Sequence, residues 1–129
     1  MLMPVTPFPS ILVVDGDTRS ARRLAQLLRE DGYAVEMAVD GAAAVGRLSR
    51  TPLPDVLITE LQLAHVDGAA VARYARAERA NIRVIFVTRY PQLAADPSSE
   101  PRTQSVVFTK PLDYDALRTE LDRPCTVTS

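Results

Sequence analysis

The chain has 129 residues, of which 47% are hydrophobic and 24% are charged, so its size and composition suit a single globular domain. Its formal net charge is -1, and it has no cluster of Lys and Arg with interleaved aromatic residues, which argues against direct binding of nucleic acid. The apolar stretches are far shorter than the ~20 residues of a membrane helix, so we expect no membrane span and a cytoplasmic location.

The first elements are a strand and a helix. Residues 1–9 are expected to form an extended lead, because they contain three prolines and lack the pattern of a signal peptide. Residues 11–14 are apolar, β-branched and followed by carboxylates, which is typical of a strand buried on both faces of a parallel sheet. A helical stripe then predicts a helix over 18–31, with Asp17 as its N-cap and Gly32 as its stop.

The same alternation continues to the end of the chain. We predict strands at 33–38, 56–59, 83–88 and 105–109, and helices at about 41–48, 69–78 and 114–121. Five strands that alternate with helices indicate an α/β fold with a doubly wound, flavodoxin-like parallel sheet. Functional sites in such sheets lie beyond the carboxyl ends of the strands. Asp15, Glu60, Thr88 and Lys110 stand at four of those ends, so we expect them to converge.

Residues 90–104 interrupt the alternation. A fourth helix is expected there, yet Pro91, Pro97 and Pro101 fall within it, and each interior proline costs a helix about 3 kcal/mol. We therefore predict a shortened or irregular element, at most a turn around 92–95. Residues 122–129 are expected to form a tail too short for an output domain. Cys125, the one cysteine, receives no role.

Three motifs appear in order along this pattern. They are Ile-Leu-Val-Val-Asp-Gly-Asp at 11–17, Asp-Val-Leu-Ile-Thr-Glu-Leu at 55–61 with Val-Asp-Gly at 66–68, and Phe-Thr-Lys-Pro at 108–111. Together they resemble the receiver domain of two-component response regulators, over about residues 10–121. Each motif alone is weak, but their order on the matching elements is specific.

The resemblance implies a phosphorylation site that this chain carries in altered form. In the family, two acidic residues after the first strand help to bind magnesium, and an aspartate that ends the third strand accepts the phosphoryl group. Asp15 matches the first acidic residue, but Gly16 stands at the second and Glu60 stands at the acceptor position.

The switch positions are also incomplete. The resemblance makes Thr88 the hydroxyl that closes on the phosphoryl group and Lys110 the lysine that pairs with it, with a cis bond to Pro111. Val107 stands where the family has an aromatic switch residue. We therefore expect little or no phosphorylation.

Magnesium binding is expected to be weak. The resemblance allows a site at Asp15, Glu60 and the Gln62 backbone, but the ion demands rigid octahedral oxygen ligands, and one carboxylate is lost while another is lengthened. Asp17 is close enough to substitute, although helix capping is its better-supported role. No other cofactor is expected.

Glu60 has two interpretations. Its carboxylate reaches further than that of an aspartate and can pair with Lys110, as a partial mimic of a phosphoryl group. Alternatively, the pair is only a salt bridge that neutralises charge, and Thr88 is only a strand residue. His65 is expected to be a solvated loop residue, and Arg89 either screens the pocket or extends into solvent.

Three functions compete. The leading hypothesis is a stand-alone, non-enzymatic pseudo-receiver that binds a protein such as a histidine kinase or an output protein, or a second copy, through strand four, strand five and the last helix. The alternative is a single-domain response regulator that still accepts phosphate from a histidine kinase. A flavodoxin-like enzyme or nucleotide binder is disfavoured, because the turn at 15–18 lacks a phosphate-cradling loop.

Overall fold

The computed structural model describes residues 8–94 and 105–123. The described residues form β1 (Ser10–Val14), α1 (Thr18–Glu30), β2 (Ala34–Ala38), α2 (Gly41–Leu48), β3 (Val56–Thr59), α3 (Gly68–Glu78), β4 (Arg83–Thr88), a 3-10 turn (Pro91–Ala94), β5 (Ser105–Thr109) and α4 (Tyr114–Asp122). Within this part of the chain, no helix is both long and apolar enough to cross a membrane.

The five strands form one parallel sheet in the order β2-β1-β3-β4-β5. This order confirms the doubly wound, flavodoxin-like fold. The direction of the strand order changes at β1, because β2 lies on one side of β1 and β3 lies on the other. Loops after β1 and β3 consequently diverge from a shared crevice at the carboxyl edge, where such sheets place their sites.

Each central strand buries both of its faces. Along β1, Ile11 and Val13 pack in the cluster that contains α1 and α4, whereas Leu12 and Val14 pack in the cluster that contains α2 and α3. All four side chains are at most 2% exposed. The continuous apolar runs of the sequence are thus explained by two separate cores, one on each face of the sheet.

The predicted boundaries agree closely with the observed ones. Asp17 caps α1 as expected, since its side chain accepts hydrogen bonds from the backbone N–H groups of Arg19 and Ser20. Gly32 follows the helix with φ of 101°, a conformation that favours glycine. The expected turn near 92–95 is the 3-10 turn at Pro91–Ala94.

Several expectations fall on residues that the structure does not describe. Pro97 and Pro101 lie in the segment 95–104, outside the described residues. The same holds for most of the N-terminal lead and for the tail that contains Cys125.

Two glycines allow the loop between β3 and α3 to pack closely against neighbouring backbone. A Cβ atom at Gly68 would lie 2.0 Å from the carbonyl oxygen of Glu60, and one at Gly41 would lie 2.1 Å from that of Val66. Gly68 N–H also donates to the Leu61 carbonyl at 2.8 Å. The absence of side chains at these two positions therefore lets the loop pack closely beside Glu60.

We predict that Gly68→Ala destabilises the protein by about 2 kcal/mol or more, because the new methyl group meets backbone that cannot move aside easily. The matched control is Gly46→Ala inside α2, where a Cβ atom meets nothing within 4 Å. That change should stabilise the protein by about 0.5–1 kcal/mol. Urea unfolding measures both, and equal effects of the two changes would contradict the close packing.

Candidate functional site

Four side chains meet at the carboxyl edge of the sheet, as the sequence predicted. The sheet ladder continues one residue past the strands, because Glu60 N–H donates to Val14 O and Lys110 N–H donates to Thr88 O, both at 2.9 Å. These bonds fix the backbones of Glu60 and Lys110 beside the ends of β1 and β4. Asp15, Glu60 and Lys110 line one pocket of about 480 Å³, and Thr88 is fully buried at the end of β4.

Asp15 and Lys110 form an ion pair. The Lys110 Nζ atom donates to Asp15 Oδ2 at 2.8 Å, and the two side chains are only 16% and 13% exposed, respectively. The other carboxylate oxygen, Oδ1, accepts the Asp17 backbone N–H at 2.9 Å. Both oxygens of Asp15 are therefore engaged with groups of the protein itself.

The pairing of Glu60 with Lys110, which the sequence allowed, is replaced by this Asp15–Lys110 pair. Among the described residues, Glu60 makes no ion pair. The physical reason is geometric, because the Asp17 backbone N–H holds one oxygen of Asp15 and leaves the other placed to accept from Lys110.

Glu60 is held in an environment that disfavours its charge. Within the described part of the chain, its Oε2 atom is buried and has no hydrogen-bond partner. Burial raises the pKa of the Glu60 carboxyl, and the negative charge of Asp15 raises it further, although the Lys110 charge opposes both effects. These surroundings therefore favour the neutral form of Glu60 more than those of an exposed glutamate do.

Thr88 stabilises the turn after β4. Its Oγ1 atom accepts the Tyr90 backbone N–H at 3.1 Å, so the hydroxyl proton remains able to donate elsewhere. Hydrogen bonding by the Thr88 hydroxyl lowers the pKa of the Glu60 carboxyl, an effect outweighed by burial. Thr88 therefore faces the acceptor position as the resemblance implied.

The remaining expected residues occupy supporting positions. The Lys110–Pro111 peptide bond is cis, as expected. The pKa of Asp17 is lowered by hydrogen bonds from Ser20, in keeping with its capping role. Gln62 and His65 are exposed in the loop after β3.

Arg89 was expected either to screen the pocket or to extend into solvent, and it has features of both. Its side chain is exposed, and it also lines the pocket. Val107, at the position of the missing aromatic switch residue, is 38% exposed on β5.

The side chains present do not form a set of ligands that suits magnesium. Both oxygens of Asp15 are occupied by an ammonium and an N–H group, and those of Asp17 accept from Arg19 and Ser20. No group of three or more His, Cys, Asp or Glu residues suited to a metal occurs within 8–94 and 105–123. Magnesium would have to displace Lys110 from Asp15, and Gly16 offers no carboxylate in compensation.

Sequence reasoning missed the wall of the pocket. Its lining includes Arg23, Leu24 and Leu27 from α1, and Leu112 and Tyr114 from the segment after β5. One signal was available, because Leu27 is an apolar residue beside the buried stripe of α1 and is only partly buried. An apolar residue off the stripe widens the apolar face of a helix beyond what the core requires.

Comparison with known proteins agrees with this geometry. A family model described as "Response regulator receiver domain" matches residues 11–122. The chain is 28% identical to the response regulator receiver protein CpdR of Brucella abortus, over 88% of this chain and 93% of CpdR. It is 31% identical to the acid tolerance regulatory protein ActR of Rhizobium meliloti, over 86% of this chain but only 57% of ActR.

Solved structures show the same fold. A response regulator receiver protein from Sinorhizobium medicae superimposes with a TM-score of 0.80 and 23% identity, and the match covers 91% of this chain and 94% of that one. At this level of identity the likeness bears on the fold alone.

We predict that Glu60→Gln stabilises the protein at pH 7, raising Tm by a few degrees. In the wild type, the pKa of Glu60 is higher in the folded state than in the unfolded state. Between the unfolded pKa, which is about 4.3 for Glu, and the raised folded pKa, the folded state therefore binds more protons. The free energy of unfolding of the wild type therefore decreases as pH rises through this window. The amide side chain of the Glu60→Gln variant stays neutral at every pH, so the variant does not lose this stability. The gain should vanish below about pH 4.

Glu78→Gln is the matched control, since Glu78 is exposed at the end of α3. Thermal unfolding between pH 4 and pH 8 measures all three proteins. A Glu60→Gln difference that is independent of pH would contradict the raised pKa.

Proposed function

The chain belongs to the response regulator receiver domain family, and from this premise we propose that it signals without being phosphorylated, by protein–protein interaction. The receiver unit would span about residues 10–121, within a two-component or phosphorelay pathway. Such a module binds and releases partners and has no enzymatic activity. Its partner would be a protein such as a histidine kinase, an output protein or a second copy of the chain.

The observation that carries the proposal is the state of the two acidic side chains. Phosphoryl transfer to a carboxyl group needs an ionised nucleophile beside a divalent cation that offsets charge on the phosphoryl oxygens. Glu60 has a raised pKa and, within the described residues, a buried oxygen without a hydrogen-bond partner, while Asp15 is paired with Lys110. Both observations support a role without phosphorylation.

A second function rests on a different observation. Glu60 and Lys110 line one pocket, and the Thr88 hydroxyl is close enough to hydrogen-bond the Glu60 carboxyl, which supports this alternative. The chain also matches CpdR over 93% of the length of that receiver protein. The alternative is therefore a single-domain response regulator that accepts phosphate from a histidine kinase on Glu60.

An exposed apolar surface supports the interaction role. Tyr90, Leu93 and Val107 are 46%, 54% and 38% exposed, and all lie on the 3-10 turn, next to it or on β5. β5 is an edge strand whose residues alternate between exposed and half-buried. We call these three residues the β5 surface and propose it as the contact for a partner or a second copy.

We predict that the wild type takes up no phosphoryl group from acetyl phosphate and Mg²⁺, whereas Glu60→Asp combined with Gly16→Asp does. The double change supplies an aspartate acceptor and a second acid for the metal. The backbone tolerates it, because a Cβ atom at Gly16 would lie 3.5 Å from the Val39 carbonyl oxygen, an ordinary contact. Intact-mass spectrometry measures the adduct.

Glu60→Gln in the Gly16→Asp background is the matched control, since it lacks a nucleophile and should stay unmodified. A phosphoryl adduct on the wild type, lost in Glu60→Gln, would overturn the proposal in favour of the phosphate-accepting regulator. A double variant that folds yet takes up no phosphate would show that more than these two residues separates this site from a working one.

A second prediction concerns the β5 surface. If it holds a second copy, Val107→Glu should weaken self-association about tenfold or more, because a charge at an apolar contact must be desolvated. Met37→Glu is the control, since Met37 is 39% exposed on β2 at the opposite edge of the sheet. Sedimentation velocity over a concentration series measures both. Equal weakening by the two variants would rule out the β5 surface as the dimer contact.

A further inference from the structure

The pocket beside Glu60 is large enough to hold a small molecule. Its volume of about 480 Å³ falls within the roughly 300–1,000 Å³ of small-molecule sites. It extends from the carboxyl edge of the sheet along α1, on the face of the sheet where α4 also packs. We call it the α1 pocket.

One wall of the α1 pocket is apolar and fixed in place. Leu24 and Leu27 line it from α1, and Leu112 and Tyr114 line it from the segment after β5. The Tyr114 hydroxyl donates to Asp31 Oδ2 at 2.6 Å, at the carboxyl end of α1, so the two sides of the wall are tied together. A pocket of this kind is formed before any ligand arrives, which reduces the entropy cost of binding.

The charges around the α1 pocket are unbalanced. Arg23, Arg89 and Lys110 are cationic, whereas Asp15 and Glu60 are acidic. Lys110 and Asp15 neutralise each other as an ion pair. Glu60 then remains as one acid beside two guanidinium groups.

The two guanidinium groups, both on exposed residues, therefore outnumber the remaining acid. In the part of the chain that the structure describes, neither Arg23 nor Arg89 makes an ion pair. Guanidinium groups bind carboxylates with short, charge-assisted and often bidentate hydrogen bonds.

We propose that the α1 pocket binds a small amphipathic carboxylate, an anionic head with a short apolar chain or ring. The head is held by Arg23 and Arg89, and the apolar part packs against Leu24, Leu27 and Leu112. A neutral apolar molecule would gain nothing from the guanidinium groups, and a small anion without an apolar part would leave the wall in water. Such a ligand would give the module an input that does not depend on a phosphoryl group.

The proposal goes beyond the function proposed above and is independent of it. None of the contacts uses Glu60 as a nucleophile or Asp15 as a metal ligand. The phosphorylation experiment can therefore fail or succeed without changing the result expected here.

The test is a titration of the full chain with octanoate, followed by two-dimensional NMR of the backbone amides. We expect saturable shifts confined to α1 and the segment from Lys110 to Tyr114. Octanoate should bind at least about tenfold more tightly than acetate, which lacks the apolar chain, or 1-octanol, which lacks the carboxylate. Shifts that do not saturate, or equal affinity for 1-octanol, would overturn the proposal.

Variants on α1 supply the matched comparison. Arg23→Gln should weaken octanoate binding about tenfold, whereas Arg22→Gln should leave it unchanged, since Arg22 is an exposed neighbour that does not line the pocket. Leu27→Trp should abolish binding by filling the pocket, with the amide spectrum reporting whether the fold is kept. Equal effects of Arg22→Gln and Arg23→Gln would overturn the proposal even if Leu27→Trp misfolds.

Discussion

The ion pair between Asp15 and Lys110 is the interaction on which the rest of the site depends. It joins the end of β1 to the end of β5, which β3 and β4 separate in the sheet. Both side chains are largely buried, so loss of either partner would leave an unpaired charge and cost about 3–5 kcal/mol. The pair thereby links these two strand ends and fixes the position of the positive charge of Lys110.

Burial has the largest effect on Glu60 and raises the pKa of its carboxyl, while the charge of Lys110 lowers it. Two carboxyl groups share this edge, and one ammonium group cannot stabilise both equally in a partly desolvated site. Asp15 receives Lys110 and a backbone N–H, whereas Glu60, within the described residues, retains a buried oxygen without a hydrogen-bond partner. The two acids at this edge therefore differ in their surroundings, since one is paired with an ammonium group and the other has a raised pKa.

The backbone of this site could be predicted from the sequence, whereas the side-chain pairing could not. Apolar runs that end in carboxylates located β1 and β3, and the alternation with helices predicted a doubly wound parallel sheet. Strand ends place Asp15, Glu60 and Lys110 at one edge, but which carboxylate meets the ammonium depends on reach and burial in three dimensions. The α1 pocket was missed for the same reason, because its wall joins Leu27 to Leu112, which are far apart in the chain.

The departures from a metal-binding receiver site lie in side chains and not in the backbone. Gly16 has room for a Cβ atom, so the missing second acid is not excluded by packing. By contrast, Gly68 must remain glycine because the Glu60 carbonyl lies against it. The backbone of the loop that presents Glu60 is therefore constrained by close packing at Gly68, whereas position 16 has room for a side chain.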